Sequence, residues 1–172
     1  EHSSRAYAVG MAGRDEDVAW LNAAQLDDWI ATVGLTMALG PALDAQLKRD
    51  SGLNLFEYHI LVALADAPGG ALPMTDLAAY TKGSPSRLSH AVSRLESSGW
   101  VERRACAEVG RRTAAVLTDA GRRTLEEAAP GHVREVRRLV VDVLSPEQFA
   151  ALGAAARAIV AVADPELRRL VE

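Results

Sequence analysis

The chain has 172 residues, enough for one domain or one domain with an extension, and 49% of them are hydrophobic while only 5% are aromatic. That balance, rich in Ala and Leu, favours helix packed on helix over a sheet sandwich. The single cysteine, Cys106, excludes an internal disulfide and fits a reducing, cytoplasmic setting; no stretch reads as apolar enough to span a bilayer, and no signal-peptide core opens the chain.

In chain order, residues 1–16 are polar and read as a weakly ordered tail. Asn22-Ala-Ala-Gln25 has capping-box spacing and opens a helix over 22–50, with Leu26, Ile30, Val33, Met37, Leu43 and Leu47 as its apolar positions. Gly40-Pro41 predicts a kink in its middle. Asn54-Leu-Phe-Glu57 is a second capping box, and Phe56, Ile60, Leu61 and Leu64 give the next helix its buried side. After the Pro68-Gly-Gly70 loop, residues 75–81 form a short helix, with Thr75 expected as N-cap and Leu77 and Ala78 inward. Lys82-Gly83 then turns the chain tightly into a further helix, which makes a helix-turn-helix.

That further helix, residues 84–100, is the most informative stretch. Ser84 suits the N-cap, Pro85 the first helical position and Gly99 a left-handed C-terminal cap, with Trp100 folding back on Leu95. Leu88, Val92 and Leu95 form its buried stripe. The other face shows Ser86, Arg87, Ser89, His90, Ser93 and Arg94, short donors and two arginines suited to base edges and phosphates in a major groove. A merely solvated polar face has the same composition, so the neighbours decide. Residues 100–104 and 113–118 read as two short strands joined by a polar segment containing Gly110, a wing tipped with Arg111 and Arg112 that offers a cation to a minor groove.

The net charge of −4 argues against nucleic acid only on average. Residues 82–123 hold nine cations and four anions, a local +5 that leaves −9 on the remainder. A basic patch of this kind is what counterion release from DNA needs.

The helix over 84–100, Val101-Glu-Arg-Arg104, and Arg111 followed by Val116-Leu-Thr-Asp-Ala-Gly121 together resemble the MarR family of bacterial winged helix-turn-helix regulators, over about residues 22–163. In that family the wing usually reads Asp-x-Arg; here the arginine falls on Arg111 and the aspartate position holds Val109, with Glu108 or Glu102 available as the orienting partner. The resemblance implies a mainly α fold with a two- or three-stranded β-wing. It implies a dimerisation helix over 22–50, a winged helix-turn-helix lobe over 53–118, C-terminal dimerisation helices over 119–163 and a tail over 164–172. The DNA contacts would come from Thr75, Lys82, Ser84, Pro85, Ser86, Arg87, Ser89, His90, Arg94, Arg111 and Arg112.

Beyond the wing, Thr118 caps a long helix through Leu125, Val133, Val136, Leu139, Val140 and Val143, with an interruption expected at Pro130-Gly131. Ser145-Pro-Glu-Gln148 starts a last helix to about Ala163. Leu152, Ile159, Val160 and Val162, added to Leu139, Val140, Val141, Val143 and Leu144, are more apolar residues than a small winged helix can cover. An intramolecular three-helix bundle could bury them. An obligate homodimer, as the resemblance implies, buries them between chains.

Catalytic constellations are absent: the chain has no Gly-rich phosphate loop, no Gly-x-Ser-x-Gly and no His-Glu-x-x-His. His2, His59, His90 and His132 are scattered without zinc spacing, so neither metal nor cofactor is expected. Cys106, beside Arg103 and Arg104, reads as an inert wing cysteine, with redox sensing the alternative. The resemblance also implies a crevice for a small aromatic or phenolic effector, for which Trp29, Val33, Met37, Tyr58 and His59 are the candidate walls; core packing is the plainer role for Trp29. The resulting expectation is a cytoplasmic, homodimeric, ligand-responsive DNA-binding regulator, a repressor. A protein-interaction or ligand-binding module that lost DNA binding is the competing class, and its signature, acidic or bulky residues on the outer face of 84–94, is missing.

Overall fold

A computed structural model describes residues 18–105 and 113–165. In chain order these form α1 (Ala23–Ser51), α2 (Leu55–Asp66), a 3-10 turn (Pro68–Gly70), β1 (Ala71–Pro73), α3 (Met74–Thr81), α4 (Pro85–Ser97), β2 (Val101–Ala105) and β3 (Thr113–Leu117). There follow α5 (Asp119–Val136), a π-helical turn (Arg137–Val141) and α6 (Pro146–Ala163). The result is the mainly helical winged fold with a small sheet that the sequence implies.

The chain divides into two units at Pro41. The first contains the opening of α1, whose start is fixed as expected: the Asn22 N–H donates to Gln25 Oε1 and the Gln25 N–H to Asn22 Oδ1, both at 2.9 Å. Its large apolar side chains Trp29, Leu35 and Met37 are exposed, Met37 at 71%. No run in the sequence stands out as a membrane span, yet α1 is long and apolar enough for one by length and composition, with mean hydropathy 1.2 over 18 residues. Its hydropathy is spread over alanines and spaced Leu, Val and Met residues, so no short run betrays it.

The second unit holds the core. Leu47, Leu53, Ile60, Leu61, Leu64, Leu77, Leu88, Val92, Leu95 and Val101 are fully buried or nearly so. Helix α2 starts at its capping box, with Asn54 Oδ1 accepting from the Glu57 N–H at 2.8 Å and Glu57 Oε2 from the Asn54 N–H at 3.0 Å. The sheet has the order β1-β3-β2 and is antiparallel throughout, with Val101 opposite Leu117, Ala105 opposite Thr113 and Ala71 opposite Val116. β1 thus adds a third strand to the wing, the larger of the two counts expected.

Helix α4 ends in a Schellman motif. Gly99 has φ +74°, the Trp100 N–H reaches the Leu95 carbonyl and the Gly99 N–H the Glu96 carbonyl, both at 2.9 Å. Thr118 then joins this end to α5, donating to the Gly99 carbonyl at 2.8 Å while accepting from the Gly121 N–H at 3.0 Å.

Two local expectations fail. Thr75 does not cap α3: Pro73 holds that position without a side-chain cap, and Thr75 Oγ1 donates instead to Asp76 at 3.0 Å. Pro73 still pairs with Ala114 at the end of β1, so the strand runs directly into the helix and sets its start. Nor does Pro130-Gly131 interrupt α5, which continues to Val136. Proline removes one helical hydrogen bond, a cost that a long helix absorbs. The irregularity falls later, at the π-turn, after which α6 departs at 98°. Helix α6 begins with the expected Ser145–Gln148 capping box and has no buried residue; Ile159 is 60% and Val162 85% exposed.

Candidate nucleic-acid interface

Helix α3, the turn at Lys82-Gly83 and α4 form the helix-turn-helix. Lys82 adopts the left-handed conformation, φ +50°, and closes α3. Gly83 is required for a different reason: a Cβ there would overlap the Phe56 ring. The turn is thereby seated on the start of α2.

Helix α4 separates cleanly into two faces. Leu88, Ala91, Val92 and Leu95 are buried. Ser84, Pro85, Ser86, Arg87, Ser89, His90 and Arg94 are exposed, as is Thr75 on α3. A completed core behind a continuous polar face is what a helix needs in order to enter a groove without unfolding.

The exposed residues are not equally free. Ser84 Oγ accepts from the Arg87 N–H at 3.2 Å, so its hydroxyl caps the helix. The Arg87 guanidinium lies 4.2 Å from the centroid of the Phe56 ring, which steadies it without neutralising it. Lys82 Nζ is 2.8 Å from Asp164 just beyond α6. Arg94 Nε is 3.1 Å from Oε1 of Glu57, a residue the sequence reading treats only as a cap. Ser86 and His90 are exposed on the same face.

Arg103 on β2 joins the site although nothing in the sequence marks it. Its Nη1 donates to Glu96 at 2.5 Å, its Nη2 to the Ser89 carbonyl at 2.9 Å and to Ser93 Oγ at 3.0 Å, and its N–H to Glu96 Oε1 at 3.2 Å. The wing is tied in this way to the exposed side of α4. A cleft of about 370 Å³, lined by Pro73, Met74, Thr75, Ser89, Arg103 and Thr113, lies at the same junction. The alternating pattern of β2 shows that Arg103 and Val101 share a face, yet not that the face meets α4.

Arg111 and Arg112 lie outside the described residues, together with Cys106, Glu108 and Val109. Of the effector candidates, Trp29, Val33 and Met37 fall in the first unit, and Tyr58 and His59 in the second. Tyr58 is buried, its ring 4.6 Å from that of His132 and 6.4 Å from that of His59. Burial raises the Tyr58 hydroxyl pKa and lowers that of His132, while partial desolvation and then the charge of the nearby His132 lower that of His59, which is otherwise exposed. No group of three or more potential metal ligands occurs among the described residues.

The model of the MarR family matches residues 51–112, the stretch from the end of α1 through the wing. Sco3205, a MarR family transcriptional regulator from Streptomyces coelicolor solved in complex with DNA, is 42% identical, with 88% of this chain and 94% of that one covered and a TM-score of 0.82. This chain belongs to the MarR family. AbsC, a second MarR family regulator from Streptomyces coelicolor, is 36% identical over 83% of this chain and 96% of its own, with a TM-score of 0.77. A probable transcriptional regulator from Pseudomonas aeruginosa is 29% identical over 77% and 98%, with a TM-score of 0.64. No curated protein matches the chain significantly. The winged helix-turn-helix fold of this MarR family member is the fold of these relatives.

Proposed function

We propose that this MarR family member is a homodimeric, sequence-specific DNA-binding repressor whose operator is pseudo-palindromic. The observation that carries the reading is α4: its inner face is fully buried while Ser86, Arg87, Ser89 and His90 stand exposed together. In this reading they meet base edges in the major groove, Thr75 and Lys82 meet phosphates, and Arg111 and Arg112 enter the adjoining minor groove. Lys82 exchanges Asp164 for phosphate on binding. The unburied apolar residues of α6 and of the opening of α1 are covered by a second copy of the chain. Selection from a random duplex library tests this: two inverted half-sites with centres about 10 bp apart are expected. Recovery of no preferred duplex would reject the reading.

An aromatic or phenolic effector relieves binding by favouring a spacing of the two recognition helices that no longer fits the groove. Linkage then requires that the effector bind free protein more tightly than DNA-bound protein, by about 1–3 kcal/mol. Titrating aromatic carboxylates and phenols against tryptophan emission and operator release together tests it; quenching with unchanged operator affinity would reject the switch.

A further inference from the structure

The described residues contain three capping boxes, and their third-position residues differ. Gln25 and Gln148 fill that role at the starts of α1 and α6, both in exposed settings. At the start of α2 the role falls to Glu57, whose side chain is only 2% exposed. A capping box needs an acceptor for one N–H, and glutamine supplies it without charge. Burying a carboxylate where an amide would serve is costly unless a cation compensates it. Here the compensating charge is that of Arg94, whose side chain is itself 67% exposed: its Nε lies 3.1 Å from Glu57 Oε1 as an ion pair without hydrogen-bond geometry, and its Nη2 donates to Oε2 at 3.5 Å.

The pair joins two elements that the fold must hold in register. Glu57 is in the first turn of α2, fixed by Asn54; Arg94 is near the end of α4. One residue before Glu57, Phe56 packs against the guanidinium of Arg87 and fills the space left by Gly83. The first turn of α2 therefore grips the recognition helix at both ends, by a ring near its start and by a carboxylate near its finish. Rotation of α4 about its axis would have to break the second grip.

We propose that Glu57 is a positioning residue for DNA recognition: its buried carboxylate holds Arg94 against α2, so that Arg94 fixes the roll of α4 and does not serve as a phosphate contact. The proposal rests on the DNA-binding reading above and makes a charge-specific claim that a purely structural cap does not. Each phosphate neutralised adds about 0.9 to the slope of log affinity against log salt on duplex DNA. In the full-length E57Q variant the cap keeps its acceptor while Arg94 loses its counter-charge. The salt slope should steepen by about 0.9, affinity for a scrambled duplex should rise, and the preference for the selected site should fall about tenfold.

The paired variant E57Q/R94Q removes both charges and serves equally where the single variant does not fold. It should keep the native salt slope and show the flattened base preference. A native slope and native preference in folded E57Q would overturn the proposal, as would a slope reduced by about 0.9 in the paired variant, since Arg94 would then be a phosphate contact. Failure of the native protein to select any duplex would instead reject the DNA-binding reading itself.

Discussion

Helices α4 and α6 solve opposite problems. Helix α4 has 13 residues, four of them buried against its own chain, and a polar outer face. Helix α6 has 18 residues, none of them buried, although Phe149, Ile159 and Val162 are large, apolar and exposed. One helix is finished within the chain and presents polar groups outward. The other is capped at its start but unfinished. The contrast separates what the lobe does by itself from what, in the proposed reading, a second copy must complete.

The sharpest way to break that contrast is to charge α6. With Ile159→Glu and Val162→Glu together, sedimentation is expected to show the mass of a single chain where the native protein shows two. A native protein that already sediments as a stable monomer at micromolar concentration would end the dimer reading. The second test stays within α4. Leu88→Ala should cost about 2–5 kcal/mol in denaturant melts because it empties a fully buried site. Ser89→Ala, one residue away on the exposed face, should change stability by no more than about 0.5 kcal/mol. Equal losses at the two positions would mean the two faces are not as described.

The smallest effect is a pH dependence. His132 is half-buried, its Nδ1 has no hydrogen-bond partner among the described residues, and burial holds its pKa below the ordinary histidine value. A lowered pKa means that the folded chain favours the neutral ring. Its contribution to stability is complete above the unfolded value of about 6.5 and is lost as pH falls through the lower folded value. Melts at successive pH values below neutrality should show this loss, and His132→Phe, which keeps a ring against Tyr58, should reduce it. An identical pH profile in the variant would contradict the assignment.

Much of this was legible in the sequence because it is local. The three capping boxes, the Gly99 cap and the inward stripe of Leu88, Val92 and Leu95 depend on residues within a turn or two of each other. What the sequence concealed is mostly contact at a distance. Glu57 reads as a cap, and only the folded chain shows Arg94 beside it, 37 positions away. Arg103 reads as one more wing cation until its guanidinium is seen on Ser89, Ser93 and Glu96. The start of α3 was misread because Thr75 is a good local cap, while strand pairing at Pro73 decides where that helix begins. Pro130 misleads in the other direction: an interior proline costs about 3 kcal/mol or more, yet α5 runs through it to Val136.

In the proposed reading each chain carries one recognition helix, and two chains together read one twofold site. Native mass spectrometry of the protein on its selected duplex measures this directly. The expected species holds two chains on one duplex, and it should disappear when either inverted half-site is scrambled. A complex of one chain per duplex, or one indifferent to the loss of a half-site, would contradict the account.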